Sequence, residues 1–580
     1  MKTIKRRHAL VDPDDSDVDV HPLVSRLFAN RGVQPRTEMD YSLASLIAPT
    51  QLKDIDRAAQ RLVDAITKQQ RVLVIGDYDT DGATATALAI TALRAMGLQT
   101  VDYLVPNRFD FGYGLSKGIA EVALTVPFGE QPDLVITVDN GIASIDGVDL
   151  LNDHGIDVVV TDHHLPGEEL PQAYAIVNPN QPGCEFASKS IAGVGVIFYL
   201  MMQLRSLLER EHWFAGQGLK PPRLADYLDL VALGTVTDMV PLDRNNRILV
   251  AQGIARIRRG NCRPGIAAIM SLCNRDLSKC RTGDFGFQIG PRLNAAGRLD
   301  DISNGIECLL TSDKDAAQNL AEQLDAINRQ RKEIESSMQR QANEIVGSFS
   351  IDSAVNRRQG YCLFHPDWHQ GVTGLVASRI KEQTHAPVIA LAPAENGLLT
   401  GSARSVSGLH IRDLLAEIDR EFPGLMDRFG GHAMAAGLTI QSSNLDRFDT
   451  AFVAASAKVL AELPADAQIE SDGELQGDWY TKEVAEMVAD AAPWGQRFPE
   501  PVFDDEFDVL DYRIVGEQHL KLTLSNGKLP APVDAIKFRY LSYGDTAPRL
   551  QRIAAAFRID VNTFRGVSNL QLLIEHMAPI

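Results

Sequence analysis

The sequence predicts an α/β protein of several domains, with a helix-covered parallel sheet, a long connecting helix, a second α/β unit and a C-terminal β-barrel. Three observations support this prediction. Short apolar runs alternate with helical periodicity between residues 71 and 161. A long, highly charged helical pattern covers residues 312–346. From about residue 465 the pattern changes to short alternating strands.

The first sheet is predicted from apolar runs at residues 71–75, 100–105, 133–138 and 157–161. Helical patterns lie between these runs, at residues 81–97, 116–124 and 144–154. Strands that alternate with helices form parallel sheets with both faces covered. Two or three further helices are expected between residues 189 and 257.

The remaining elements give the domain limits. The connecting helix is charged, with apolar residues at Leu320, Leu324, Ile327 and Ile334. The second unit has predicted strands at residues 361–364, 388–391, 398–402 and 436–440, and the barrel has them at residues 520–524, 531–538 and 570–574. We therefore expect an N-terminal arm (1–50), a first domain (51–311), a connecting helix (312–346), a second domain (347–464) and a barrel domain (465–580).

Composition is ordinary for a globular protein, with 45% hydrophobic and 23% charged residues. The longest uncharged run, residues 190–204, is too short to span a bilayer and predicts a buried helix. The N-terminus lacks the apolar stretch of a signal peptide. None of the six cysteines forms a CxxC pair, which excludes zinc-ribbon and thioredoxin sites and favours a reducing compartment. We expect a cytoplasmic protein without membrane attachment.

The net charge of −19 argues against a broad DNA-coating surface. Residues 251–300 are different, because they hold nine Lys and Arg against three acidic residues, a local charge of +6. Such a stretch suits a confined basic groove better than a broad duplex-coating surface, although a solvated basic helix face would give the same count.

Acidic motifs follow three of the predicted strands. Asp77, Asp139 and Asp162 each come just after a strand, and open parallel sheets gather ligands at that edge. A single Asp in a turn is usually a helix cap or a turn former. Three polar motifs at one edge are not explained in this way, and they indicate a site.

The residue types indicate two divalent metal ions. Alternation places Asp77 and Asp79 on the same side of an extended segment. Asp139 can bridge two ions, His163 or His164 can supply an imidazole that favours Mn²⁺, and Asp238 can complete the set. Paired ions cleave phosphodiesters. The sequence has no Walker loop, and the Gly193-Val194-Gly195 pattern is expected to be a helix-packing contact.

The second unit carries groups suited to an anion. These are Trp368–Val372, a helix with Ser378 and Arg379, the segment Gly401-Ser402-Ala403-Arg404-Ser405, and the small-residue segment Gly430–Gly437. Serine, arginine and backbone N–H groups bind phosphate chains. For Gly430–Gly437 alone, a tight turn before a strand fits equally well.

Together these motifs resemble the DHH phosphoesterase superfamily, through Asp162-His163-His164, residues 76–82, Asp139-Asn140-Gly141 and residues 234–238. Residues 290–298, Gly430–Gly437 and the segments Pro493-Trp494-Gly495 and Phe498-Pro499-Glu500-Pro501 are similar to the bacterial branch of single-strand-specific 5′→3′ DNA exonucleases. The resemblance covers nearly the whole chain. It implies a DHH catalytic domain, a DHHA1 substrate-binding domain and a C-terminal OB-fold domain.

The resemblance also implies roles for individual residues. The implied metal ligands, for two Mn²⁺ or Mg²⁺ ions, are Asp77, Asp79, Asp139, His163 and Asp238. His164 would contact the scissile phosphate, and Asp81 and Asp162 would support the ligands. Arg108, Ser402 and Arg404 would hold the 5′-terminal phosphate. The strand would pass Arg292, Asn294, His369, Arg379 and His432. Some relatives have a His at the position of Ile75, so one metal ion is expected to bind more weakly here.

The leading hypothesis is a monomeric exonuclease that threads single-stranded DNA between the two α/β units and degrades it 5′→3′ to mononucleotides, in DNA repair and recombination. A helicase and the single-strand-binding protein are the expected partners. One alternative is a DHH phosphodiesterase for short oligoribonucleotides or cyclic dinucleotides, whose members are generally shorter and lack the barrel. Another is a non-catalytic single-strand-binding scaffold, which the complete set of carboxylates disfavours.

Overall fold

The computed structural model of the protein describes residues 3–12, 20–34, 38–106, 114–351, 359–462, 468–516, 518–541, 550–564 and 566–580. The chain forms two compact units. The first contains Met1–Asn294, Ile302–Glu322 and Asp466–Ile580, and the second contains Ala295–Asp301 and Gln323–Ala465.

The strands occur in chain order as β1 (Thr3–Arg6), β2 (Val72–Gly76), β3 (Val101–Leu104), β4 (Leu134–Val138), β5 (Asp157–Thr161), β6 (Ala175–Val177), β7 (Tyr361–Phe364), β8 (Val388–Pro393), β9 (Leu398–Arg404), β10 (Arg428–Gly431), β11 (Ala435–Gln441), β12 (Gln468–Ser471), β13 (Phe503–Val515), β14 (His519–Ser525), β15 (Val533–Lys537), β16 (Arg552–Phe564) and β17 (Val567–Pro579).

The main helices are α1 (Pro22–Ala29), α2 (Ile55–Thr67), α3 (Thr80–Ala95), α4 (Lys117–Ala123), α5 (Ile145–Asp153), α6 (Gly193–Arg210), α7 (Leu228–Thr237), α8 (Arg244–Arg258), α9 (Pro264–Leu272), α10 (Gly290–Leu299), α11 (Ser303–Leu310), α12 (Lys314–Ile351), α13 (Thr373–Thr384), α14 (Ile411–Glu421), α15 (Leu445–Leu460) and α16 (Lys482–Asp490).

The first unit contains the predicted parallel sheet, with strand order β3-β2-β4-β5-β6. Every residue of β2 and β4 is buried, as expected for strands covered on both faces. Leu73, Val135 and Val158 pack in one core cluster with residues of α4 and α5. Helices α2, α3 and α6 also pack on the sheet. The prediction of this sheet is confirmed, and the predicted bounds of β5 agree with those observed.

The barrel in the same unit is closed, with strand order β13-β14-β15-β17-β16. Its core also includes Leu23 and Leu27 of α1, so the N-terminal arm packs into the barrel domain. Strand β1 pairs in parallel with β12. The Arg31 guanidinium binds both oxygens of the buried Asp472 carboxylate at 3.0 and 3.1 Å.

The barrel domain contacts the first domain through the segment that follows α16. The indole of Trp494 stacks on Phe498 with a centroid separation of 5.2 Å. The hydroxyl of Thr282 donates a 2.8 Å hydrogen bond to the carbonyl of Trp494. The backbone N–H of Leu242 donates a second 2.8 Å hydrogen bond to the carbonyl of Gln496. This segment therefore fixes the barrel to the helices around α8.

The second unit is built on a mixed sheet with strand order β10-β11-β9-β8-β7, in which only β7 and β8 are parallel. Its core has two clusters, one that includes residues of α14 and α15 and one that includes residues of α12 and α13. Gly430 and Gly431 lie in β10, and residues 432–434 form the turn to β11. The Gly430–Gly437 segment therefore contains a tight turn before a strand, and its predicted role in anion binding stays a prediction.

Among the described residues, no helix combines the length and the apolar character needed to cross a membrane. The uncharged run at residues 190–204 lies largely in α6, whose residues are mostly buried. All six cysteines are free thiols.

Candidate active site

The carboxyl ends of β2, β4 and β5 meet at one edge of the parallel sheet. Asp77 follows β2, Asp139 follows β4 and Asp162 follows β5, and all three are buried. The strands run parallel and in register, so these side chains lie side by side. The acidic residues that follow these three strands therefore form one buried cluster.

Asp79 is both the N-cap of α3 and a member of the acidic cluster. Its Oδ1 accepts hydrogen bonds from the backbone N–H groups of Asp81 (2.8 Å) and Gly82 (3.1 Å). A carboxylate oxygen of Asp79 also lies within 4.8 Å of those of Asp77 and Asp139. The cap therefore fixes the carboxylate of Asp79 within the cluster.

Asp139 has a φ of +63°, a left-handed conformation that is uncommon for a residue with a side chain. The adjacent Asn140 holds the turn, since its Nδ2 donates to the carbonyls of Ile75 (3.0 Å) and Val138 (2.9 Å). Strained backbone of this kind concentrates at functional sites. The strain here fixes the direction of the Asp139 carboxylate.

His163 joins the strand ends to α7. Its Nε2 lies 3.1 Å from Oδ1 of Asp139 and 3.4 Å from Oδ2 of Asp238, the residue that follows α7. Three overlapping sets of side chains place potential ligand atoms within 4.8 Å of one another. These sets are Asp77, Asp79 and Asp139; Asp81, His163 and Asp238; and Asp139, His163 and His164.

The cluster concentrates negative charge in a buried site. Burial, and then the neighbouring carboxylates, raise the pKa of Asp77 and of Asp139 well above the usual value. Burial and the charge of Asp79 raise the pKa of Asp238 to about 7. Oδ1 of Asp77 is buried without a hydrogen-bond donor among the described residues. Divalent cations would satisfy these oxygens and remove the repulsion, so the residues fit such ions.

His164 is hydrogen-bonded to Asp162 and also lies beside Asp139 of the acidic cluster. Its Nδ1 lies 2.7 Å from Oδ1 of Asp162. Burial lowers the pKa of His164, but the Asp162 carboxylate outweighs this effect and the pKa rises to about 9. Asp162 also accepts from the backbone N–H of Ile142 at 2.9 Å. His164 is thus a cation at neutral pH in a fixed orientation.

Asp81 binds the start of α6. Its Oδ2 accepts from the N–H of Gly193 (2.7 Å) and its Oδ1 from that of Val194 (3.0 Å). A Cβ atom on Gly193 would lie 2.5 Å from Oδ1 of Asp139. A Cβ atom on Gly234 would lie 2.6 Å from Oδ1 of Asp81. The expectation that Gly193 only packs helices was therefore wrong: the missing side chain makes room for the acidic cluster.

Asn294 and Arg292 lie on α10 in the first unit. Oδ1 of Asn294 accepts hydrogen bonds from the backbone N–H (2.8 Å) and the hydroxyl (2.9 Å) of Thr80, the first residue of α3. Nη1 of Arg292 donates to the carbonyl of Gln288 at 2.7 Å. Asn294 thus holds the helix that carries Asp81, a role not predicted from the sequence.

The second unit brings Ser402 and Arg404 of β9 to the start of α13. The Ser402 hydroxyl lies 3.1 Å from that of Thr373. A Cβ atom on Gly374 would lie 2.7 Å from Nη2 of Arg404 and 3.4 Å from Oγ of Ser402. A guanidinium and two hydroxyls beside the N-terminus of a helix form a cradle for an anion.

The other predicted substrate residues of this unit have varied surroundings. Nδ1 of His369 accepts from the N–H of Gly371 at 3.1 Å, and Nε of Arg379 lies 3.2 Å from Glu335. His432 is exposed in the β10–β11 turn. Arg108 lies outside the described residues.

Sequence reasoning missed Gly193, Gly234, Thr80 and Gly374. The glycines act through the space that they leave, and Thr80 acts through its backbone N–H and its hydroxyl. The signals in the sequence were the Gly193-Val194-Gly195 pattern and the motifs at residues 76–82 and 234–238, which contain Thr80 and Gly234.

Three parts of the chain match known protein families. Residues 71–235 match the DHH family, N-terminal domain, residues 357–458 match the DHHA1 domain, and residues 471–576 match the RecJ OB domain. The three matches occur in the order of the sheet, the second unit and the barrel.

Similar proteins cover almost the full chain. The single-stranded-DNA-specific exonuclease RecJ of Dickeya dadantii is 49% identical, with 96% of each chain covered. The crystal structure of RecJ from Thermus thermophilus in complex with Mn²⁺ is 28% identical and covers 100% of this chain and 80% of that chain, with a TM-score of 0.80. The Mg²⁺ complex of RecJ from the same organism is 26% identical and covers 99% and 78%, with a TM-score of 0.74. The chain therefore belongs to the RecJ family of single-stranded-DNA-specific exonucleases.

Proposed function

We propose that the protein hydrolyses single-stranded DNA from the 5′ end and releases mononucleotides, using two divalent metal ions, Mn²⁺ or Mg²⁺. The observation that carries the proposal is the buried cluster in which His163 lies between Asp139 and Asp238. Family membership supports the substrate, because the similar proteins are named as single-stranded-DNA-specific exonucleases and two solved relatives contain Mn²⁺ or Mg²⁺.

The proposed metal ligands are the carboxylates and the imidazole of the cluster: Asp77, Asp79, Asp139, His163 and Asp238. Asp139 and His163 each belong to two of the overlapping ligand sets, and the carboxylate of Asp139, with its two oxygens, would be the group able to contact both ions. When bound, the ions supply an activated water and neutralise charge on the phosphoryl group. Ile75 is fully buried in the sheet core and offers no ligand, which supports a weaker second ion.

Three further residues act through position and charge. Asp81 holds α6 against Asp139 through two backbone hydrogen bonds. Asp162 holds Nδ1 of His164, which keeps the imidazole cationic and oriented. We propose that Nε2 of His164 donates to the scissile phosphate, because a fixed cation stabilises charge that develops there.

The polarity of digestion is proposed from the anion cradle of Ser402 and Arg404. A 5′-terminal phosphate has the charge and the oxygens that a guanidinium and hydroxyls recognise. Arg108 is proposed to belong to the same pocket, and the strand is proposed to contact Arg292, Asn294, His369, Arg379 and His432. The OB-type barrel would add sequence-tolerant affinity for single strands.

The biological setting is proposed from the family resemblance. It comprises DNA repair and recombination in the cytoplasm, a monomeric enzyme, and a helicase and the single-strand-binding protein as partners. The domain limits 51–311, 347–464 and 465–580 are also proposals, supported by the shorter family matches that fall within them.

A digestion series tests the proposed function. Single strands labelled at the 5′ or the 3′ end, a blunt duplex and a dinucleotide are incubated with the protein, with and without Mn²⁺. We expect immediate release of the 5′ label as a mononucleotide, late release of the 3′ label, and no digestion of the duplex or without metal. Earlier release of the 3′ label would overturn the polarity, and preference for the dinucleotide would overturn the substrate.

A further inference from the structure

Phe287 is the most exposed large hydrophobic side chain that the structure describes, at 77% of its full accessible surface. Its neighbours Phe285 and Ile289 are fully buried. An aromatic ring exposed to water on a rigid support is available to pack against a bound partner.

The exposure follows from a local change in helix type. Phe285–Ile289 form a π-helical turn, and the backbone N–H of Gly290 donates to the carbonyl of Phe285, five residues earlier. The burial of Phe285 and Ile289 anchors both ends of this turn, and Phe287 lies between the anchors and outside the packed surface. Single π-turns of this kind occur frequently at functional sites.

The ring of Phe287 has glycines around it. The nearest atom to a Cβ placed on Gly283 is Cδ2 of Phe287, at 3.9 Å, and a Cβ placed on Gly286 would meet nothing within 4 Å. A side chain at Gly283 would contact the ring, and the space beside Gly286 is open. The absence of a side chain at Gly283 therefore leaves that edge of the ring uncovered.

The turn is joined to the acidic cluster through two contacts. A Cβ atom on Gly290 would lie 3.4 Å from Cβ of Thr237, the residue before Asp238. Four residues after Gly290, Asn294 binds the backbone N–H of Thr80 at the start of the helix that carries Asp81. Phe287 thus stands on the same rigid structure as the proposed metal ligands.

Arginines lie on both sides of the turn along the chain. Arg281 precedes it, has 34% of its side chain exposed and lies 3.4 Å from Asp490, and Arg292 follows it and donates from Nη1 to the carbonyl of Gln288 within the turn. Both belong to the stretch 251–300, where nine basic residues oppose three acidic ones. An exposed aromatic ring within a basic stretch of the chain matches an unpaired nucleobase joined to phosphates.

We propose that Phe287 is a stacking platform for one unpaired nucleobase of the DNA strand, close to the scissile phosphate. The inference rests on the proposed function. It adds a contact between Phe287 and a nucleobase to the proposed contacts of the enzyme with the phosphates of the strand. A base in a duplex is already stacked on both faces, so the platform favours single strands.

The test compares Phe287→Ala, Phe287→Leu and wild type on 5′-phosphorylated strands in which one abasic residue is moved stepwise from the 5′ end. Base stacking on an aromatic side chain accounts for about 5- to 100-fold in affinity. We expect an abasic residue at one position to raise KM of the wild type by this factor. Phe287→Ala should raise KM of the intact strand similarly, with kcat nearly unchanged, and should lose the response to that position.

Two controls keep the outcome specific. Phe422→Ala removes another exposed phenylalanine, 37% exposed and in the second unit, and should leave KM unchanged. Phe287→Trp should retain the wild-type KM, and its added fluorescence should be quenched by an intact strand in EDTA but not by the abasic one.

The proposal is overturned if Phe287→Ala keeps the wild-type KM or the wild-type response to abasic positions. A wild type that does not degrade the intact strand would instead reject the proposed function. An equal effect of Phe287→Ala on intact and abasic strands at every position would also overturn stacking, since it would indicate a structural effect.

Discussion

Oδ2 of Asp81 accepts a 2.7 Å hydrogen bond from the backbone N–H of Gly193, the first residue of α6. This contact brings the Gly193 Cα so close to Asp139 that a Cβ atom would overlap the carboxylate. The direction of the proposed bridging ligand therefore depends on a helix start that is remote along the chain. The packing contact that positions α6 therefore also positions a proposed metal ligand.

Gly193→Ala should displace the Asp139 carboxylate and weaken Mn²⁺ binding. Loss of a group that orients a metal ligand typically costs about 10- to 100-fold in metal affinity. Calorimetric titration with Mn²⁺ measures this change without any DNA. Activity should fall at limiting Mn²⁺ and recover partly at high Mn²⁺.

Gly195→Ala is the matched control for this prediction. A Cβ atom at Gly195 would contact only the side chain of Ile191, which can adjust. This variant should lose some stability and keep the wild-type Mn²⁺ affinity. Equal Mn²⁺ affinities for the two variants would contradict the assigned role of Gly193.

Mn²⁺ affinity should rise with pH through about pH 7. Asp238 has a pKa of about 7, so metal binding below this pH must displace its proton, and burial raises the pKa values of Asp77 and Asp139 in the same direction. Each displaced proton makes the affinity change about tenfold per pH unit. Titrations between pH 5.5 and 8 check this; a flat profile would show that the carboxylates are ionised before metal binds.

The stability of the metal-free protein should change with pH in the opposite direction. The folded state binds protons on these carboxylates more tightly than the unfolded state, so their contribution to stability is largest in acid, and the part contributed by Asp238 is lost as pH rises through about 7. In EDTA, Tm should therefore decrease from pH 6 to pH 8, and added Mn²⁺ should remove the decrease. A Tm that increases over this range in EDTA would contradict the assignment.

Arg404→Ala should reduce the preference for a 5′-phosphate over a 5′-hydroxyl end. A hydrogen bond to a charged group contributes about 1.5–3 kcal/mol, or roughly 10- to 100-fold in KM. Arg404→Lys should recover only part, because an ammonium cannot form the paired hydrogen bonds of a guanidinium. The measurement is KM for strands with a 5′-phosphate and for strands with a 5′-hydroxyl. An equal loss of activity on both kinds of strand would argue against a terminal-phosphate pocket.

Arg31→Ala should destabilise the protein strongly. Arg31 and Asp472 form a buried pair, with side-chain exposures of 2% and 1%, and the guanidinium lies 4.9 Å from the centre of the Trp494 ring. Removal of one partner of a buried pair costs about 3–5 kcal/mol. The free energy of unfolding from urea titration checks this. Removal of the half-exposed Arg205–Glu209 pair by Arg205→Ala should cost less than about 1 kcal/mol.

Part of the fold could be predicted because local pattern and burial agree. The segment Asp157–Thr161 is apolar and buried, and its predicted limits match β5. The long strand β13 was missed because Asp504 and Asp505 interrupt its apolar pattern. Both are buried, Asp504 bound by Arg6 and Asp505 by Lys528. Neither partner is adjacent to the aspartates in the sequence. The local pattern therefore gives no sign that these charged residues are buried and belong to a strand.

The candidate site shows the same division. Asp77, Asp139 and Asp162 could be found because strand ends of a parallel sheet meet at one edge. The pairing of β1 with β12 and the contact of Gly193 with Asp139 could not be found, because each joins distant segments through backbone atoms. Local sequence patterns contain no record of such contacts.

The stoichiometry of Mn²⁺ binding tests the central proposal most directly. Electron paramagnetic resonance with graded Mn²⁺ can count bound ions and detect coupling between two that share a ligand. We predict two coupled ions per chain in the wild type, and in Asp139→Ala loss of the coupling together with loss of hydrolysis but retention of the fold. A coupled pair or wild-type hydrolysis that persists in Asp139→Ala would contradict the account.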